Sequence, residues 1–280
     1  RRPCRAAAGR YRGAHAGSPG LPIEIVGATD GLEVNRAELA ELDLIIPDHM
    51  GGWSDSTIGN ALSHWLCWYQ VVDTQRPTCI FDDRAFLRHD FVPRVLGLLE
   101  ALPADWDMVQ LGFNTDSIIE IAISPDCHYR GSFAGGYSTA DDMEKFARVA
   151  TAVAPMRLYN SFGTFAYLVT PAGAQKLIDS CFPLAAYPVP APMLKRQITA
   201  GNIDGMVNRN YSSMQAYVCF PPIALHARQK ATSAQVVETP PAEASELMGE
   251  LKAAFRVRQE DIIAGSYGEM LEGAKVEQNP

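Results

Sequence analysis

Two aspartates stand side by side at the end of a short apolar run, Thr78-Cys79-Ile80-Phe81-Asp82-Asp83-Arg84-Ala85. A few residues of strand character running into adjacent acids are what a buried strand looks like when its tip meets a ligand. In open α/β sheets, ligands bind beyond the carboxyl ends of the strands. Two carboxylates there suit a hard divalent cation, which takes oxygen ligands and keeps positions open for phosphate oxygens. Acids that follow strands also serve as turn residues and caps. Asp82 and Asp83 therefore carry the metal reading only if their surroundings agree with it.

The elements that must position this stretch lie on both sides of it. Upstream, Ile58, Ala61, Leu62, Trp65, Leu66, Tyr69 and Val72 recur at spacings of three and four, one apolar stripe of a helix. Ser54 to Thr57 offer its N-cap. Ser63 and His64 project off the stripe. Arg76-Pro77 then breaks the chain before the strand. Downstream, Asp90 is placed to cap a helix over 91–102, and Trp106 to Leu111 reads as the next strand, ended by Gly112. Helix, strand, helix, strand predicts an α/β domain with a mostly parallel central sheet.

The remaining segments are less regular. Asp30-Gly31 reads as a turn, 37–44 as a short helix, and 118–123 as a strand. The aromatic, Gly-rich 128–138 reads as a functional loop. Helices are expected over 141–153, 171–178 and 193–200, and strands over 21–26, 164–169 and 215–220. The Arg-rich 1–16 is helix-prone. The expected domain spans 1–227, followed by a linker at 228–244 and a peripheral helical tail at 245–280.

Composition narrows the function classes. With 280 residues, 47% hydrophobic and 20% charged, the chain can bury one large core. A net charge of -8 argues against nucleic acid as a partner. Arg1, Arg2, Arg5, Arg10 and Arg12 crowd the first segment. They read as a solvated helix face, with contact to phosphate or an anionic membrane as the other reading. The 6 cysteines are scattered without a Cys-x-x-Cys pair, the pattern of free thiols in a reducing compartment. No apolar run is long enough to cross a bilayer, so a cytoplasmic protein is expected, with peripheral contact to a membrane left open.

Several pieces, taken in order, resemble glycosyltransferase family 25. "IVGATDG" (25–31) is similar to its Ala-x-Asp-Gly segment, and "IGNALSH" (58–64) to its Ile-Gly-Cys-x-x-Ser-His helix start, with Asn60 in place of the cysteine. "IFDDRA" (80–85) falls where the family has a strand followed by Glu-Asp-Asp-Ala. "DWDMVQLG" (105–112) and "GTFAYLVTPAGAQKLI" (163–178) resemble two further segments, and Ile203-Asp204 and Pro221-Pro222 its closing motifs. The resemblance runs over about residues 1–226.

That resemblance implies a nucleotide-diphosphosugar transferase fold of the A type, a single α/β sandwich. It implies a UDP-sugar donor, most often UDP-galactose, a glycan or glycolipid acceptor, and manganese or magnesium as the cofactor. The expected reaction is metal-assisted sugar transfer with inversion. Asp82 and Asp83 are the candidate metal ligands, with Asp83 also counted as catalytic. Asp30, Gly59, Ser63, His64, Arg84 and Thr164 are the candidates for holding the donor.

The acceptor hydroxyl needs a base. Asp204 ranks first for that role, ahead of Asp107 and His64. Asp107 also reads as a turn residue at a strand start, and His64 as a structural hydrogen-bonder.

Arg84 is the main departure, since it stands where the family has a third acid. A guanidinium about 4 Å from a dication costs several kcal/mol at moderate effective dielectric. Three outcomes follow: Arg84 swings away from the metal, it binds the diphosphate itself, or the chemistry is lost. The alternative to an enzyme is thus a non-catalytic sugar-nucleotide binder of the same fold. A haloacid dehalogenase-type phosphatase is excluded, because its second Asp two positions on from Asp82 is Arg84 here.

Overall fold

The computed structural model describes residues 26–133, 139–191 and 195–227. The predicted N-terminal helix, nearly all of the 21–26 strand, the linker and the tail lie outside these residues.

Three strands set the frame. β1 (Thr78–Phe81), β3 (Met108–Gln110) and β10 (Ala216–Phe220) run in one direction. β7 (Ala166–Val169) lies between β1 and β3 and is antiparallel to both. β6 (Ala154–Asn160), β4 (Ile118–Ser124) and β5 (Cys127–Ser132) extend the sheet beyond β10. The order is β1-β7-β3-β10-β6-β4-β5, and only the β3–β10 pair is parallel. The expected mostly parallel sheet is therefore corrected to a mixed α/β fold with a mostly antiparallel seven-stranded sheet. The reason is physical: a strand buried on both faces reads as a continuous apolar run whichever way it points.

Alternation along the strands builds a layer on each face. Met108, Tyr167, Val169, Ala216 and Val218 face one core, shared with Ile58, Ala61, Trp68 and Val71 of α2 (Asp55–Thr74). Leu177 of α5 (Pro171–Cys181) and Met206 of α6 (Ile203–Asn208) join the same core. Val109, Leu111, Leu168 and Cys219 face the second core, which Phe91 and Leu98 of α3 (Phe91–Ala101) close. The stripe read from the sequence is thus the buried face of α2. Ser54 caps that helix through the Thr57 amide.

Other expectations shift. Residues 127–132, read as loop, form β5, and 196–199, read as helix, form β9, which pairs with β8 (Pro188–Ala191) in a hairpin. The helix expected to run to 153 is α4 (Ala140–Ala147), and β6 follows it. Two short strands also escaped the sequence, β2 (Ala85–Leu87) and its antiparallel partner β11 (Ala224–His226). Asp90 precedes α3 without capping it. Its carboxylate is taken instead by Arg88 and Arg94 at 2.7–2.8 Å. α1 (Arg36–Glu41) lies near the expected place.

Candidate functional site

The strand tip that opened the reading is a tight turn. The Asp82 amide donates to the Phe165 carbonyl at 2.8 Å, just before β7 begins. The Ala85 amide donates to the Asp82 carbonyl at 3.1 Å, and the Arg84 amide to Asp82 Oδ1 at 2.5 Å. Asp82 thus folds one oxygen over its own turn, as Asp commonly does. Asp83 and Arg84 point outward, each side chain 62% exposed, with Arg84 Nε 3.8 Å from Asp83 Oδ1. The Ala227 amide donates to the Arg84 carbonyl at 2.7 Å, so β11 holds the turn from its far side. His226 of β11 stands opposite Ala85, its ring against the edge of Phe165 at 5.3 Å.

The exit of β3 reaches the same edge of the sheet. The Leu111 amide bonds Ala166, and the Asn114 amide donates to the Phe162 carbonyl at 2.8 Å. The crossing segment 161–165 therefore runs past both strand tips. Gly163 in it adopts φ +101°, and a Cβ there would meet Asn114 Oδ1 at 2.5 Å. Only glycine meets both demands. Gln110 Nε2 donates to the Gly163 carbonyl at 3.1 Å and to the Tyr211 hydroxyl at 2.7 Å. Thr164, buried, sits between Gly163 and Phe165.

Asp204 completes the cluster from the first turn of α6. Its Oδ2 accepts the Gly163 amide at 3.2 Å and its Oδ1 the Gly205 amide at 2.9 Å. Among the described residues it has no cationic partner. Burial pushes its pKa above the usual carboxylate range, and the nearby Asp116 charge adds to this against the amide bonds. A carboxylate whose proton affinity is raised at the edge of a sheet suits a proton-transfer role.

Asp82, Asp83, Arg84, Thr164 and Asp204 are thus gathered along one edge. The other candidates have structural partners. Asp30 caps a short turn through the Leu32 amide. Ser63 Oγ accepts the Thr29 amide and donates to the Gly59 carbonyl, both at 2.9 Å. A Cβ on Gly59 would lie 2.6 Å from the Thr29 carbonyl oxygen, so this glycine lets the 29–31 segment press on α2. His64 is buried, its Nδ1 2.8 Å from the Tyr167 hydroxyl, which also accepts from Trp68 Nε1 at 2.7 Å. Burial lowers its pKa to about 4, so the ring is neutral in the core at pH 7. Asp107 is buried and locked by Lys176 and the Gln215 amide.

A manganese or magnesium ion does not fit the donors present. Asp82 has one oxygen committed to the turn, and Asp83 faces the Arg84 guanidinium. No three His, Cys, Asp or Glu side chains among the described residues are grouped to hold an ion. The Arg84 guanidinium is the cationic group beside Asp83 at this tip.

Sequence reasoning missed Gln110, Asn114, Asp116 and Tyr211. Asn114 and Asp116 were within reach, because they follow Gly112 at a strand exit. Gln110, buried in β3, and Tyr211, buried in the turn after α6, left no signal.

These features define a mixed α/β protein with acidic groups collected at the exits of two parallel-running strands. The model of glycosyltransferase family 25 (LPS biosynthesis protein) matches residues 14–191, and the chain belongs to that family. No curated protein matches it. The matched stretch includes the Asp82–Arg84 turn and Thr164 but stops short of Asp204. Family membership implies a glycosyltransferase of lipopolysaccharide biosynthesis, with a sugar donor and a glycan acceptor. Among the described residues no helix is long and apolar enough to cross a membrane.

Proposed function

We propose that the protein transfers a hexose, galactose first among the candidates, from a UDP-sugar to a hydroxyl of a glycan or glycolipid acceptor. Asp204 carries the reading. It is a carboxylate of raised proton affinity, held by two amides and paired with no cation among the described residues. It takes the proton from the acceptor hydroxyl as that oxygen bonds the anomeric carbon. The bond from that carbon to the diphosphate oxygen breaks on the opposite face, UDP departs with the electron pair, and the anomeric centre inverts. Positive charge grows on the sugar ring meanwhile, as in glycoside cleavage. Asn114 and Thr164, flanking Gly163, line the path.

The free cysteines of the described residues suit a reducing compartment, and we place the reaction at the cytoplasmic face of a membrane that presents the acceptor. The test is UDP release from UDP-galactose in the presence of lipooligosaccharide acceptors. Acceptor-dependent release that Asp204→Asn abolishes supports the reading. Arg84, in place of an acid, favours a second reading, a binder without turnover. Tight UDP binding with no release from any of a panel of UDP-sugars would select it.

A further inference from the structure

The mismatch between the donor set and a divalent cation has a counterpart in the same turn. We infer that the Arg84 guanidinium takes the place of a metal ion and clamps the diphosphate of the donor directly. This rests on the nucleotide-sugar reading above and adds how the leaving group is held.

Four observations carry it. First, the turn is rigid where it must be. The backbone of Arg84 is fixed on both sides, its amide to Asp82 Oδ1 and its carbonyl to the Ala227 amide, while the side chain stands in solvent. Second, the fork is uncommitted. Arg84 Nε lies 3.8 Å from Asp83 Oδ1, beyond hydrogen-bond length, and no described group takes the two Nη nitrogens. Guanidinium carries five donors in a planar fork that matches two phosphate oxygens. Third, the Arg84 side chain is 62% exposed, so an incoming anion can reach it. Fourth, Asp82 is tied through its amide to Phe165, two residues from the Gly163 that anchors Asp204. The clamp and the base thus share one segment of chain.

The chemistry asks only for positive charge on the departing diphosphate. A metal supplies it as a Lewis acid. A guanidinium supplies one charge and directional hydrogen bonds, with no bound water to displace. UDP leaves as a dianion or trianion with its two phosphates intact, so no further reactant is needed.

The experiment is titration calorimetry of the whole protein with UDP, once in EDTA and once in manganese. Arg84→Lys and Arg84→Asp are titrated alongside, with circular dichroism to show that each is folded. The expected result is UDP affinity within twofold in the two buffers. In EDTA, Arg84→Asp should bind at least tenfold more weakly, and Arg84→Lys should lie between it and the parent. Two results would overturn the clamp alone: UDP bound only with manganese, or Arg84→Asp binding as tightly as the parent in EDTA. UDP bound in neither buffer would remove the clamp and the nucleotide-sugar reading together.

Discussion

Strand β3 has a sequestered aspartate near each end, and the two are held in different ways. Asp107, at the amino end, is 2% exposed, and its carboxylate meets Lys176 Nζ at 2.7 and 2.8 Å and the Gln215 amide at 2.8 Å. Its carbonyl accepts the Thr170 amide at 3.0 Å, so one residue joins β3, β10 and the start of α5. Asp204, beside the carboxyl end, has only amide donors and a like charge in Asp116 nearby. The first is compensated by a full cation. The second is held in place yet left short of compensation, the setting in which a carboxylate's proton affinity rises. Burial alone does not mark a functional acid; the missing counter-charge does.

That contrast is broken most directly by Asp204→Asn. Transfer should fall by about 10²–10⁴-fold, the usual worth of a general base. UDP affinity measured by calorimetry should stay within threefold. A variant that keeps a tenth of the parent rate would remove Asp204 from the chemistry.

At the other end, Asp107→Ala should leave the turnover of folded molecules unchanged. Urea unfolding should show a loss of about 2–3 kcal/mol, at the low end for a broken buried pair because Lys176 is half exposed and can return to water. A loss of turnover with intact stability would reverse the assignments of the two acids.

His64 tests whether burial without a role in transfer leaves its own signature. Its folded pKa of about 4 lies below the ordinary 6.5. The unfolded chain therefore binds the extra proton first, and stability that is full above pH 6.5 drains as pH falls toward 4. The loss should be roughly 3 kcal/mol across that window. His64→Gln should flatten this part of the pH–stability curve, and an unchanged slope would count against the buried neutral ring.

The smallest effect sharpens the Asp204 side of the comparison. Because its pKa is raised, the acid limb of kcat/KM should lie above the ordinary carboxylate value of 3.8. Removing the nearby charge with Asp116→Asn should move that limb to lower pH. A limb that stays put would mean that Asp116 does not act on Asp204.

How much of this was legible beforehand depends on what each residue's neighbours in sequence reveal. The α2 stripe and its Ser54 cap were readable because helical periodicity is local. The Asp82–Asp83 turn was readable as a strand exit, although strand direction was not, since β7 enters between β1 and β3 from far downstream in the chain. The β8–β9 hairpin was misread because Pro188 and Pro190 suggest an extended coil, and they are tolerated in this two-stranded edge pairing. Ser63 and Gly59, both small, stood as donor contacts because residues 58–64 resemble the family's helix start. That smallness instead admits the 29–31 backbone. The pairing of Asp204 with Gly163 spans 41 residues, and no pattern in the chain announces it.

The bond from Ala227 to the Arg84 carbonyl has a practical side. Whatever follows position 227 sets out one hydrogen bond away from the proposed clamp. Replacing Ala227 by proline would remove the amide that holds the Arg84 carbonyl and loosen the turn on that side. Where the protein is cut or tagged is thus part of the chemistry being measured.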